Sequence, residues 1–421
     1  MALARKADSS FSDFSDFFPD WTDEIQKNGF ARFGNKIVFS NLFDSHVHFR
    51  VPGGEHKEDW KTGSAAAAAG GITGVLEMPN TNPPAVNQSV LDLKIKTASR
   101  DSCVNFGFFL GATSDNTREL NSAAPIAGFK VYVGSSTGNL LVSKSNQIET
   151  VFRIAKKRNL VACVHAEDEE TIQQNMVHAK RGGWNHARFH SKIRTTEAEA
   201  KAIKTCISLQ EKIGNRLHVC HLSSAAGLEL IRESKETGNA LLSCEVSPSH
   251  LFLSEDDSEK LGNRLKMNPA IKSKSDQSAL WKGLRERTID VIATDHAPHT
   301  LKEKNKPFFD APSGLPGVET LVPLLLDAVH AEKLSFLDMA RLCSQDPHRI
   351  FGLAPKPNCF SIVDPAQKWV VQSAQLHSKC GWSPFEGWEL RGRVEETIVN
   401  NKTVFQNQKV IESAGGVGKC F

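Results

Sequence analysis

Two imidazoles stand two residues apart in Asp44-Ser-His46-Val-His48-Phe-Arg50, just after the apolar run Ile37-Val38-Phe39. Alternate residues of an extended strand project to the same side, so His46 and His48 can aim at one point. Neutral imidazole is a common ligand for zinc and similar ions. Other polar side chains close other apolar runs: Lys130 in Gly128-Phe-Lys130-Val-Tyr132, His165 in Val161-Ala-Cys-Val-His165, His221 in His218-Val-Cys-His221, and Asp295 in Val291-Ile-Ala-Thr-Asp295. Singly, each has an ordinary reading: a hydrogen-bonded strand-end His, a snorkelling Lys, an Asp that caps the next helix. Together, at the ends of successive apolar runs, they read as one shared site.

Four His, one Asp and one Lys form a two-metal shell on one condition. An ordinary ammonium, with a pKa of about 10.4, would repel divalent cations. A Lys carbamylated by carbon dioxide instead offers an anionic bridging oxygen. His46, His48 and Asp295 then hold one ion and His165 and His221 the other, with Lys130 between them and Zn2+ as the expected metal. Water shared by two such cations is acidified toward neutral pH, and Asp295 can take its proton and hand it to a leaving nitrogen. That chemistry is hydrolysis of an amide-type bond, or its reversal.

These side chains need a scaffold that brings distant strand ends together. The candidate strands are Ile37–Phe43, Gly74–Met78, Val104–Leu110, Gly128–Val133, Leu160–His165, Leu217–His221, Leu241–Val246 and Val291–Thr294. Helix-like segments lie in most gaps: Asp59–Ala69, Ser89–Arg100, Ser145–Arg158, Thr195–Ile213, Ala225–Thr237 and Ser275–Arg287. Continuous apolar runs joined by helical crossovers predict a parallel sheet covered on both faces, an α/β fold. Eight such units close most economically into a (β/α)8 TIM-type barrel, whose catalytic residues sit at the C-terminal strand ends. An open doubly wound sheet would call for a Gly-rich phosphate loop after its first strand, and Gly53-Gly54 is no such loop.

After helical segments at Leu321–Lys333 and Ser335–Cys343 the pattern changes. Beyond Pro355, Trp369-Val-Val371 and Thr397-Ile-Val399 look like strands. Residues 1–43 and 355–421 are therefore expected to build a small accessory β-domain from both chain ends, around a barrel over 44–354. The Ser/Asp/Phe stretch Ser9–Phe18 reads as an arm.

Bulk properties exclude several classes. At 421 residues, 40% hydrophobic, 24% charged and net charge +3, the chain has an ordinary globular composition. Its tightest basic run, Lys156-Lys157-Arg158, ends a predicted helix, where cations suit the dipole. Neither nucleic acid nor a membrane surface is expected as a partner. Nine scattered Cys without a Cys-x-x-Cys pair suggest a reducing cytoplasm. Asp8, Asp13, Asp16 and Asp20 stand where a signal peptide would need an apolar core.

From about His46 to Phe405 the chain resembles dihydroorotases of the amidohydrolase superfamily. The resemblance rests on Asp44-Ser-His-Val-His-Phe-Arg50, Glu77-Met-Pro-Asn-Thr-Asn82, Phe129-Lys-Val-Tyr132, His165-Ala-Glu-Asp168, Leu265-Lys-Met-Asn-Pro269, Thr294-Asp-His-Ala-Pro-His299, Gly317-Val-Glu-Thr320 and Ser383-Pro-Phe-Glu-Gly-Trp388. It implies reversible cyclisation of N-carbamoyl-L-aspartate to L-dihydroorotate in pyrimidine biosynthesis. It also implies a homodimer and association with other pyrimidine-pathway enzymes. By the same resemblance Arg50, Asn80 and His299 contact the substrate carboxylate, and Asn268 and the backbone around Gly317 contact the ring. A guanidinium fork suits a carboxylate.

The chain departs from the family's usual pattern at Val51 in Arg50-Val-Pro-Gly53, where a Glu is customary, and at Ala270 in Asn268-Pro-Ala-Ile-Lys272. It resembles the branch that carries Lys at position 130, followed by a Gly134-Ser-Ser-Thr-Gly138 loop that could fold over substrate. Two other functions fit parts of the pattern: a hydantoinase-, dihydropyrimidinase- or allantoinase-like hydrolase of cyclic ureides, and a catalytically silent scaffold for other enzymes. A silent scaffold would be expected to lack several ligands, and every proposed ligand position is filled here.

Overall fold

The computed structural model describes residues 19–136 and 140–421; the whole of the predicted arm Ser9–Phe18, and Thr137-Gly138 of the Ser/Gly loop, lie outside the described residues. After a helix at Pro19–Asn28 come two short antiparallel strands, β1 (Phe30–Phe33) and β2 (Lys36–Ser40). Eight strands follow in one parallel sheet: β3 (Phe43–Val47), β4 (Gly74–Glu77), β5 (Asn105–Gly111), β6 (Gly128–Tyr132), β7 (Val161–His165), β8 (Arg216–Val219), β9 (Leu242–Val246) and β10 (Val291–Ile292). Each neighbours the next in chain order, and their residues are buried almost throughout. That accounts for the continuous apolar runs.

The sheet closes on itself. Val47 bridges His296 in parallel register, and the His48 N–H donates to the His296 carbonyl at 2.8 Å. The fully buried Asp44 carboxylate accepts from Thr294 N at 3.0 Å and from its hydroxyl, which fastens the first strand to the last. The result is the expected (β/α)8 barrel.

Helices occupy the gaps as the periodicity predicts. Ser145–Arg158 has the predicted bounds, and Thr196–Ile213 opens with the Thr195 side chain accepting from Ala198 N and ends at Gly214. Helix Glu169–Arg181 was not anticipated; its mixed polar composition hides its two buried positions, Ile172 and Ala179.

The first barrel strand differs from expectation. Ile37–Phe43 reads as one apolar run, but Asn41 adopts φ +54° and breaks it in two. A left-handed residue cannot continue a strand, and Asn tolerates that conformation better than most. The first half pairs away from the barrel, as β2.

The remaining strands are β11 (Phe360–Val370), β12 (Glu389–Val399), β13 (Lys402–Gln406) and β14 (Lys409–Val410), and they complete an antiparallel sheet in the order β1-β2-β11-β12-β13-β14. This is the accessory sheet built from both parts of the chain. Helix Leu321–His330 lies against β12, where Gly392 (φ +118°) is so close that an added Cβ would stand 2.3 Å from Leu326 Cβ. Only Gly permits that contact.

One buried ion pair bears on the site. Lys94 and Glu77 are fully enclosed, form a salt bridge, and Lys94 Nζ donates to the Met78 carbonyl at 3.0 Å. This pins the end of β4, from which Asn80 follows. No helix among the described residues is long and apolar enough to cross a membrane, and all nine Cys are free thiols.

Candidate active site

The barrel's C-terminal rim gathers the predicted ligands. His46 lies in β3 and His48 just beyond it, with ring centroids 5.3 Å apart, as strand alternation requires. Asp295, past the end of β10, brings Oδ1 to 3.0 Å from His48 Nε2 and 3.3 Å from His46 Nε2. One donor atom from each of these three residues falls within 4.8 Å of the others. His165 ends β7, and its Nδ1 stands 3.0 Å from Nε2 of His221, which follows β8. The His221 ring is 5.3 Å from that of His46, so both pairs of imidazoles belong to one cluster. Lys130, in β6, is buried beside them with Nζ 3.0 Å from Cys220 Sγ.

The outward nitrogens show how the rings are held. His46 Nδ1 shares a short hydrogen bond with Glu245, His48 Nδ1 meets Asn80 Oδ1 at 2.6 Å, and His165 Nε2 meets Glu167 Oε2 at 2.9 Å. Metal-binding His residues characteristically use their second nitrogen in this way, which fixes the tautomer and turns the other nitrogen inward. His221 Nδ1 is buried without a hydrogen-bond partner among the described residues. Burial and the Lys130 ammonium oppose a charge on His46, yet Glu245 and Asp295 outweigh them and hold its pKa up at about 10. Asp295 is pushed up by burial but kept below the usual carboxylate range by His46 and His48. Burial pushes His48, His165 and His221 the other way from His46, toward the neutral form in which imidazole ligates a metal. Donor set, ring orientation and electrostatics all fit divalent cations. A second possible group, His46, Cys220 and Glu245, adjoins the first.

Backbone strain marks the same place. Arg50, His221 and Asp295 hold φ of +66°, +37° and +50°. Such conformations cost non-Gly residues roughly 1–3 kcal/mol each and cluster where function demands a side-chain direction.

The expected substrate residues fall less evenly. Arg50, Asn80 and Asn268 line the cleft with the ligand cluster. Arg50 is 6% exposed, donates from Nε to the Pro298 carbonyl at 3.2 Å, and has no carboxylate partner among the described residues. Asn268 Oδ1 stands 3.0 Å from His190 Nε2. His299 lies behind Arg50, its Nε2 3.2 Å from an Arg50 amino nitrogen and 3.1 Å from the Ser313 carbonyl, while Lys57 Nζ donates to its Nδ1 at 3.1 Å. Gly317 is a layer further back. Its N–H donates to His296 Nδ1 at 3.1 Å, and the glycine at the cleft wall is Gly314.

Four residues near the site were given no role on sequence grounds. Glu245 bonds His46 and, at 3.0 Å, His218; its signal was a carboxylate within the apolar run of β9. Glu167, inside a quoted motif, joins His165 to Arg194. Cys220, one position before His221, is the near neighbour of Lys130 Nζ. Tyr132, the chain's one tyrosine, lines the cleft with its hydroxyl buried and without a hydrogen-bond partner among the described residues.

Comparison with known proteins agrees with this geometry. Residues 37–404 match the amidohydrolase family. The chain is 39% identical to the dihydroorotase of Methanosarcina mazei over 392 residues, covering 89% of this chain and 85% of that one. It is 35% identical to the multifunctional protein CAD of Squalus acanthias, of which the match spans 15%. Among solved structures, the L-hydantoinase (dihydropyrimidinase) of Arthrobacter aurescens superposes with a TM-score of 0.88 at 27% identity, covering 92% of this chain and 89% of that one. The chain thus belongs to the amidohydrolase family, within its dihydroorotase branch.

Proposed function

We propose that the cleft interconverts L-dihydroorotate and N-carbamoyl-L-aspartate, as a step of pyrimidine biosynthesis. The observation that carries this reading is Arg50, a buried guanidinium that faces the ligand cluster without a carboxylate of its own. An unpaired buried cation is costly, and a substrate carboxylate would satisfy it. Hydantoin and allantoin have none to offer.

In this reading His46, His48 and Asp295 hold one divalent cation, and His165 and His221 hold a second. Lys130, carboxylated on its Nζ, would add an anionic oxygen ligand to that shell, and Zn2+ is the expected metal. Bound there, the ions polarise the ring carbonyl and acidify water. Asp295 accepts the proton of the attacking water and returns it to the ring nitrogen as the C–N bond breaks; in cyclisation the transfer reverses. Arg50 and Asn80 fix the carboxylate, with His299 supporting Arg50 from behind, and Asn268 orients the ring. Gly317 acts at one remove, through His296.

The same reading takes residues 44–354 as the barrel and 1–43 with 355–421 as the accessory domain, supported by the strands' division between two sheets. It includes a homodimer in the cytoplasm. Association with other pyrimidine-pathway enzymes is supported by the match to part of a multifunctional protein.

Ring opening of dihydroorotate, hydantoin and allantoin, measured side by side with metal content on one sample, is expected to favour dihydroorotate in metal-loaded protein. Preferred turnover of hydantoin would move the chain to the ureide hydrolases, and inactive, metal-free protein would favour the scaffold. Arg50→Gln is expected to raise KM for dihydroorotate about 10- to 100-fold with the metals retained, since a charged hydrogen bond is worth roughly 1.5–3 kcal/mol. An unchanged KM takes Arg50 off the substrate.

A further inference from the structure

Between β11 and β12 the accessory sheet sends out an excursion over residues 371–388. Its ends are tied: Val371 N donates to the Trp388 carbonyl and Gly387 N to the Val371 carbonyl, both at 2.9 Å. The Ser383-Pro-Phe-Glu-Gly-Trp388 motif lies in this excursion, and the reaction described above makes no use of it.

The excursion reaches the substrate end of the barrel. Trp382 and Phe385 are buried in an apolar cluster with Met267 and Leu315. Met267 precedes Asn268, and Leu315 bridges His296, so the cluster underlies both segments expected to meet substrate. Trp382 Nε1 donates to the His299 carbonyl at 2.7 Å. One residue earlier, the Pro298 carbonyl accepts from Arg50 Nε at 3.2 Å. Consecutive carbonyls are thus held by two different elements, one by the guanidinium in the cleft and one by an indole of the excursion from the accessory sheet. The excursion also grips the other side of the closure, where the Ser378 hydroxyl and the Lys379 N–H both donate to Glu58. Glu58 Oε2 in turn lies 3.4 Å from His296 Nε2.

We propose that the 371–388 excursion completes the carboxylate end of the active site, with Trp382 as a positioning residue for His299 and, through Pro298, for Arg50. The proposal rests on the dihydroorotase reading for its substrate. The mechanical link is independent of that reading. An N–H donor aimed at a buried carbonyl is directional, and an orphaned carbonyl repositions to find another partner. The reacting carbonyl is held by other groups, so loss of the indole N–H should weaken substrate binding and leave the chemical step intact.

The test is Trp382→Phe, which keeps an aromatic ring and removes the donor, beside Phe385→Leu, which trims the same cluster and leaves the hydrogen bond in place. In Trp382→Phe, KM for dihydroorotate is expected to rise about three- to tenfold, the equivalent of one net hydrogen bond, with kcat within about twofold and metal content unchanged. Amide hydrogen exchange across residues 299–304 should quicken. In Phe385→Leu, the melting temperature should fall while KM holds. Equal KM changes in the two variants, or an unchanged KM in Trp382→Phe, overturn the positioning role. Unaltered exchange in Trp382→Phe refutes the mechanical link even if dihydroorotate proves not to be the substrate. A wild type without dihydroorotate turnover overturns the functional reading, and quickened exchange in the same preparation would leave the fastening of His299 standing.

Discussion

Lys130→Ala is expected to lower kcat/KM on the order of 10³-fold and to strip metal from the protein, with partial recovery when formate or acetate is supplied. The expectation starts from the position of the side chain. Lys130 is enclosed among imidazoles, its nearest hydrogen-bond partner is the Cys220 thiol at 3.0 Å, and it forms no ion pair with a carboxylate among the described residues. Burial disfavours its charge, though Cys220, Tyr132 and Glu245 hold the pKa above the ordinary Lys range. As an ammonium it would compete with a cation for this space; as a carbamate it would bridge two. Metal assistance is worth several kcal/mol in the transition state, and about 1.4 kcal/mol corresponds to a decade in rate. A short carboxylic acid can restore the missing oxygen ligand but not its tether, so recovery should be partial. Unchanged metal stoichiometry in Lys130→Ala would remove the residue from the centre altogether.

Asp295→Asn should lower kcat by about 10²- to 10⁴-fold, the usual range for loss of a general acid–base group, with a small effect on KM. The amide keeps the shape and the strained backbone of Asp295 but cannot accept a proton. Its Oδ1 lies within 3.3 Å of both His46 and His48, so one metal should bind more weakly as well. Assays at saturating metal separate the two effects. A variant that regains wild-type kcat under those conditions would show that Asp295 is a ligand alone and that the proton moves through another group.

Much of this arrangement was legible because barrel chemistry is written at strand ends. His46, His48, Lys130, His165, His221 and Asp295 each interrupt or finish an apolar run, and a parallel barrel is what brings such ends together. Glu245 was harder to find. It follows the same rule, but its partner His46 is 199 positions away and no local spacing connects them. Gly317 is the less direct case, since a motif pointed to it while the glycine that lines the cleft is Gly314. The first strand was misplaced because an apolar run does not say which sheet it joins; a single left-handed Asn41 decided that. Asp44 and Glu77, both in motifs rich in chemistry, turn out to fasten the barrel.

The accessory sheet has a consequence for synthesis on the ribosome. Strand β2 pairs with β11, and the cross-strand ion pair of Lys36 with Asp364 joins positions 328 residues apart. Such nonlocal pairings are slow to form because the loop must close before any contact rewards it. As the chain emerges, β2, paired only with β1, must therefore wait with its other edge open until the barrel has been translated. The segment with Trp382 emerges later still, so the pocket proposed for the substrate's acid group is among the last parts to mature. A nascent barrel could gather its imidazoles before it could hold its ligand in place.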